Sequence, residues 1–306
     1  MQLLLIAICT FWFSSVLADT DTPSFYVKAK DIRENSRPHK LRLRSHVAIV
    51  FDERDNEIIF SRNSDMVMPV ASLSKLMTAM VILDANLPMD EKITINRSDK
   101  DRIRWSRSRL KYGMQFSRDD LLRITLAASE NRAAMALART FPGGRDAFVQ
   151  AMNTKAQSIG LKNTHFMDPA GLHDKNVSTA NELIKLVRLA SNYPVIRSFT
   201  TQTKDSIFDS KTGREIKFGN TNLLVKRDSW PISLSKTGYT SVAGNCLVMQ
   251  TEINTRPVII VLLESWGKWS KYGDSNRIKN WLINTELRLE KRIARNHFEK
   301  VNSVIQ

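Results

Sequence analysis

Cysteine is almost absent from this chain. Only Cys9 and Cys246 occur in 306 residues. Cys9 falls in an N-terminal apolar run, so once that run is removed no intrachain disulfide can form. Cys246 sits in the strand-like stretch "NCLVMQT" and reads as a small buried hydrophobe. The five histidines are scattered, which excludes a compact zinc site of short-spaced ligands, and no metal is expected. His165 and His173 read as hydrogen-bonded surface residues. No motif requires a cofactor, and none is expected. Internal repeats and low-complexity blocks are missing as well.

Acids are scarce beside bases. Asp and Glu number 31 against 46 Lys and Arg, a net charge of +15, and such a chain suits anionic polymers or surfaces. Charge is missing altogether from residues 1–18, "MQLLLIAICTFWFSSVLA". This apolar run ends in small residues and reads as a secretory signal cleaved after Ala18, which sends the mature chain to the periplasm. Gln2 stands where a Lys or Arg is usual, so an uncleaved anchor is the alternative, although the run is short for a membrane span. Export argues against nucleic acid as a partner. It leaves wall or membrane surfaces for peripheral contact. The densest basic cluster, "KDRIRWSRSRLK" at 100–111, reads equally as a solvated loop or a binding patch.

Residues 19–44 mix charges with few large apolar groups and are expected to form an extended basic arm. A single domain is expected over 45–306. It opens with a hairpin in "SHVAIVFDERDNEIIFSRN", followed directly by a long buried helix in "VASLSKLMTAMVILDA". Helical periodicity dominates about 76–200, with "SRDDLLRITLAASENRAAMALARTF" beginning at a Ser cap. Strands follow: "DSIFDSKTGREIKF" as a hairpin, "PISLSKTGYTS" as a strand, and "NCLVMQTEI" with "VIIVLLES" as another hairpin. A C-terminal helix is expected over about 277–302, packed on the strands through Trp281, Leu282, Leu289, Ile293 and Val301. The order predicts an α/β (α+β) fold: an antiparallel sheet flanked by helices, with an all-helical subregion.

Ser and Lys at i and i+3 on a helix point the same way, so the amine can take the hydroxyl proton. Ser72 and Lys75 have this spacing at a helix N-terminus, where the dipole favours charge developing on the Ser oxygen. The spacing alone is weak, because it recurs at Ser108–Lys111, Ser233–Lys236 and Ser265–Lys268. Only the first copy opens a long apolar helix. A second element, Ser129-Glu130-Asn131, interrupts an apolar helix, and three adjacent polar residues there are best satisfied by a cleft. A later Lys-Thr-Gly completes a three-part set known from serine acyltransfer enzymes. The tetrapeptide "SKTG" occurs twice, at 210–213 and 235–238. The first copy sits at a hairpin tip among turn residues, and the second runs on as strand.

With these motifs in order, together with "FMDPAGLHDKNVSTANEL" and "SKTGYTSVAGNCLVM", the chain resembles the low-molecular-mass penicillin-binding DD-peptidases over about 45–270. It looks most like their D-alanyl-D-alanine endopeptidase branch. The resemblance implies a β-lactamase/DD-peptidase (transpeptidase-like) fold and action on peptidoglycan stem peptides, with β-lactam antibiotics as covalent inhibitors. It implies Ser72 as acylated nucleophile, Lys75 as general base and Ser129 as proton relay to the leaving amine. Asn131 would hold the substrate and orient Lys75. Lys236 and Thr237 would bind a substrate carboxylate, Gly238 would leave room beside the strand, and Tyr239 N–H with Ser72 N–H would form the oxyanion hole. A second cation, Lys236, would help burial lower the Lys75 pKa. Asp168, Gly171 and Ser178 to Ala180 match the family too, as loop-shaping residues.

Other functions stay open on sequence. A β-lactamase needs a Glu-activated water, and "ELIKLV" at Glu182 lacks the Leu-Asn that would follow. A non-catalytic wall-binding protein would keep the fold but not need the reacting set. A carboxypeptidase of the family usually carries a second β-rich domain, and only 68 residues follow Gly238. The endopeptidase is therefore the preferred expectation.

Overall fold

The computed structural model describes residues 26–305. The expected signal segment and residues 19–25 of the arm lie outside the described residues. Residues 26–44 depart from the expected extended arm. They contain helix α1 (Ala29–Asn35), with Val27, Ala29, Ile32 and Leu41 buried. Seven residues do not hold a helix by local propensity alone. Here tertiary contacts do so: Asp55 accepts from the Ala29 N–H at 2.5 Å and from the Tyr26 hydroxyl at 2.6 Å.

The globular order follows expectation. Strands β1 (Ser45–Asp52) and β2 (Glu57–Arg62) form the first hairpin, and β3 (Met68–Pro69) precedes a 3₁₀ turn at Ala71–Ser74. Helix α2 (Lys75–Asp84) follows, apolar on every side and correspondingly buried. Strands β4 (Lys92–Thr94) and β5 (Gln115–Ser117) pair. Helices α3 (Arg118–Ala127), α4 (Asn131–Arg139) and α5 (Gly144–Ser158) come next. Strand β6 (Val177–Ser178) pairs with β3, and α6 (Ala180–Ala190) and α7 (Pro194–Thr201) complete the helical layer. The hairpin of β7 (Lys204–Phe208) and β8 (Glu215–Gly219) leads to β9 (Ile232–Thr240), β10 (Gly244–Ile253) and β11 (Arg256–Ser265). The last helix, α8 (Ser270–Ile305), starts earlier than the expected residue 277. Leu282 and Leu289 are buried as expected, whereas the Val301 side chain lies outside what is described.

The main sheet is antiparallel with strand order β2-β1-β11-β10-β9. Alternate side chains of its central strands enter different cores, as the two-residue period requires. Val47 and Ile49 face the helical layer with Leu76 and Met80, while Ala48 and Val50 face Ile278 and Leu282 of α8. Cys246 is buried on the helical side, and burial pushes its thiol up to about 11, so it behaves as the inert hydrophobe expected. Strand β9 is an edge strand, and its free edge faces the helical layer's cleft.

One buried ion cluster ties the arm, the sheet and α8 together. Arg256 is 3% exposed and donates to Glu286 at 2.5 Å, to Asp52 and to the Val27 carbonyl. Arg256→Met would leave two buried carboxylates without a cation, a change that typically costs about 3–5 kcal/mol. Urea denaturation of the variant should show that loss. An unchanged midpoint would mean that water reaches the cluster.

Candidate active site

The short β3 strand delivers the chain into the 3₁₀ turn, where Ala71 adopts φ 49°, a left-handed conformation costly for alanine. Ser72 lies in that turn and Lys75 is the first residue of α2, one turn away. Lys75 is completely buried. Its Nζ donates to Ser72 Oγ at 2.8 Å, to Asn131 Oδ1 at 2.7 Å and to the Ala170 carbonyl at 2.5 Å. A neutral amine has two N–H donors and one lone pair. Donation to Asn131 and Ala170 therefore leaves the lone pair aimed at Ser72, ready to accept its proton.

Burial lowers the Lys75 pKa from 10.5 to about 7, against the opposing charges of Asp168, Glu130 and Asp101. Burial is expected to act together with a second cation, and here burial suffices. It is Lys236, also buried, whose pKa is held well below the ordinary lysine value, first by burial and then by the charge on Lys75. Burial thus favours a neutral Lys75 amine, the state an acyl-transfer base requires.

The polar interruption expected at Ser129 is a real helix break. Helix α3 ends at Ala127, Ser129 takes φ 59°, and α4 begins at Asn131. Ser129 and Asn131 line a cavity of about 400 Å³ with Thr221. The contact to Lys75 comes from Asn131 and not from Ser129. Sequence reasoning missed what orients that amide. Asn131 Nδ2 donates to Ser106 Oγ at 2.9 Å, and Ser106 Oγ donates onward to Asp101 at 2.6 Å. Asp101 is buried and also accepts the N–H groups of Ile103, Arg104 and Ser106. With its proton committed to Asp101, Ser106 can only accept from Asn131, which turns the Asn131 oxygen toward Lys75. The basic 100–111 cluster thus includes part of the cleft wall. Its signal was the lone acid among cations, followed by a serine.

Strand β9 closes the cleft. Lys236 and Gly238 share one face and Thr237 and Tyr239 the other. A Cβ on Gly238 would lie 3.0 Å from the Val70 carbonyl and 3.1 Å from the Ser72 nitrogen, so only glycine lets the strand edge approach the Ser72 turn this closely. Thr237 Oγ1 donates to Thr221 Oγ1 at 2.7 Å, and the Tyr239 ring is exposed. Lys211, of the other "SKTG", is exposed in the β7–β8 turn, far from this arrangement in topology and environment. The Asp168 loop supplies the Ala170 carbonyl, and His165 and His173 lie at its surface, as expected.

The family model described as peptidase S11, D-alanyl-D-alanine carboxypeptidase, matches residues 34–266. The chain belongs to that family. It is thus a serine D-Ala-D-Ala peptidase acting on peptidoglycan peptides, as the motif order implied. It is 42% identical to the D-alanyl-D-alanine endopeptidase of Escherichia coli (strain K12), covering 89% of this chain and 87% of that one. Identity to the D-alanyl-D-alanine endopeptidase of Pseudomonas aeruginosa is 43%, over 80% of this chain and 79% of that one. Among solved structures, a mutant of the Streptomyces K15 DD-transpeptidase superposes with a TM-score of 0.73 at 26% identity. The match covers 79% of this chain and 99% of that one.

Proposed function

We propose that the protein is a D-alanyl-D-alanine endopeptidase that hydrolyses peptidoglycan cross-links through an acyl-enzyme on Ser72. The observation that carries this is the buried Lys75 amine 2.8 Å from Ser72 Oγ. Neutral Lys75 takes the Ser72 proton as Oγ attacks the D-alanyl carbonyl. Ser72 and Tyr239 N–H groups receive the oxyanion, an arrangement in which one donor is typically worth about 3 kcal/mol. The amine of the neighbouring stem peptide leaves with a proton relayed by Ser129, and water then hydrolyses the ester. Lys236 and Thr237 hold a substrate carboxylate, with Asn131 on the substrate's peptide group. β-Lactams would acylate Ser72 as covalent inhibitors.

The endopeptidase reading is favoured over the carboxypeptidase of the family's description by two relatives above 40% identity that are both named endopeptidases. Such an activity needs an exported enzyme, which supports the secretory signal and the periplasm. No helix among the described residues is long and apolar enough to cross a membrane.

Mass spectrometry of digested cross-linked muropeptides is the test. Conversion of cross-linked dimers to monomers is expected, and release of terminal D-Ala alone would favour the carboxypeptidase. In the same preparation Lys236→Ala should lower fluorescent-penicillin labelling at least tenfold, whereas Lys211→Ala should label like the wild type. Equal effects of the two would remove β9 from the site.

A further inference from the structure

Beside the catalytic cleft, among the described residues, lies a groove of about 1310 Å³. It runs along the end of the sheet where β1 and β10 begin and β11 ends, walled by residues 266–272 and by the 220–223 loop. Three aromatic rings stand open in it. Tyr239 is 67% exposed, Trp266 76% and Trp269 59%. Large rings left in water within a concave surface suggest a ligand.

They are also held in place. The Trp266 backbone N–H donates to the Arg44 carbonyl at 3.1 Å, which fixes the chain there, and the Arg44 guanidinium lies over the Trp266 ring at 5.9 Å. Lys268 lies over Trp269 at 5.0 Å, and the Trp269 ring leans on Tyr272, whose hydroxyl donates to the Thr221 carbonyl at 2.9 Å.

Two residues join the groove to the cleft. Thr221 lines both the groove and the 400 Å³ cavity of Ser129 and Asn131. Tyr239 follows Gly238 on the catalytic edge and turns its ring into the groove. We propose that this groove binds the glycan of the substrate, an N-acetylated amino-sugar chain, while the attached stem peptide lies along β9. The inference rests on the peptidase reading above.

The lining fits that occupant. A pyranose has an apolar C–H face, which packs on the electron-rich face of an aromatic ring, and polar edges that need donors and acceptors. Here Arg44, Asn245 and Glu264 line the same groove as the rings. A peptide bound at Ser72 carries its own glycan, so the second contact forms at high effective concentration, and weak stacking is enough. A lipid surface would instead call for a convex apolar patch, whereas these rings line a hollow.

The test uses the full chain with the β-1,4 tetramer of N-acetylglucosamine as probe. Saturable quenching of tryptophan fluorescence is expected, weakened at least tenfold in Trp266→Ala and in Trp269→Ala. With disaccharide-bearing cross-linked dimers, kcat/KM of both variants should fall at least tenfold. With glycan-free dimers and in penicillin acylation they should match the wild type, which also shows that they fold. Lack of saturable binding to the wild type, or an equal fall on both dimers, would overturn the proposal. So would unchanged tetramer binding with loss of partition onto phosphatidylglycerol vesicles. A wild type that binds the tetramer but is never acylated by penicillin would sink the peptidase reading and leave the groove standing.

Discussion

Ser72→Ala is expected to abolish covalent penicillin labelling, and Lys75→Met to slow acylation by about 10³-fold or more, the scale of lost general-base catalysis. Adduct surviving Ser72→Ala would move the nucleophile elsewhere, Ser108 being the nearest competitor by spacing. Wild-type acylation should also report the base directly. As the proposed base Lys75 would work only when neutral, and burial places its pKa at about 7. The rate should therefore climb with pH through about 7 and level off above it, whereas an ordinary lysine would still be gaining near 10.5. The same burial has a stability signature. The unfolded chain keeps this proton to about 10.5, while the folded site gives it up near 7. Between those values the unfolded state binds more protons, so stability rises with pH. Below 7 the burial cost stands in full, about 5 kcal/mol at 1.4 kcal/mol per pH unit. Lys75→Met escapes that cost, though it leaves the Asn131 oxygen without the Lys75 donor and the Ala170 carbonyl with Ser72 Oγ alone. Urea denaturation should thus show the variant gaining on the wild type as pH falls from about 9 to about 6. A pH-independent difference would mean that Lys75 is charged throughout.

The sites that could be read in the sequence are those where local chemistry and global position agree. Ser72 and Lys75 open a helix that is apolar all round, and Ser129 to Asn131 break another. The second "SKTG" continues as strand, which separates Lys236 from Lys211. Periodicity likewise carried the sheet, because β1, β10 and β11 are buried on both faces and read as near-continuous apolar runs. What escaped depends on partners distant in the chain. Helix α1 exists because Asp55 and the sheet hold it, and its seven mixed-charge residues carry no such signal. The Asp101–Ser106–Asn131 chain crosses 30 residues of sequence, and its acid was hidden among arginines. For the Lys75 pKa the expected burial is the cause that acts, whereas the expected help from Lys236 is not seen on Lys75. A sequence names the reacting groups more readily than the groups that aim them.

Gly171→Ala is expected to cripple the enzyme although residue 171 touches no substrate. Gly171 has φ +77°, and a Cβ there would lie 1.9 Å from the Ala71 carbonyl oxygen, 2.3 Å from its carbon and 2.6 Å from Ser74 Oγ. Those atoms belong to the turn that carries Ser72. The loop cannot easily retreat, because the buried Asp168 carboxylate accepts the Ala170 N–H at 2.7 Å, the Leu172 N–H at 3.0 Å, the His173 N–H at 2.8 Å and Asn176 Nδ2 at 2.5 Å. The Ala170 carbonyl next door holds Lys75 Nζ and accepts from Ser72 Oγ at 3.2 Å. Relief of the clash must therefore shift the Ser72 turn or tear the Asp168 loop, and either displaces Ser72 Oγ from Lys75 Nζ, the proposed nucleophile and base. Backbone strain and overpacking together should cost about 3 kcal/mol or more. A displacement of about 1 Å at the reacting atoms would slow acylation about 100-fold. Gly160→Ala is the control, since Gly160 has φ +72° with nothing within 4 Å of a Cβ. It carries only the strain, about 1–2 kcal/mol, and should acylate at the wild-type rate. Thermal denaturation and penicillin acylation of the two variants decide the matter. If Gly171→Ala matched Gly160→Ala in both, the contact between this loop and the Ser72 turn would have no part in holding the nucleophile.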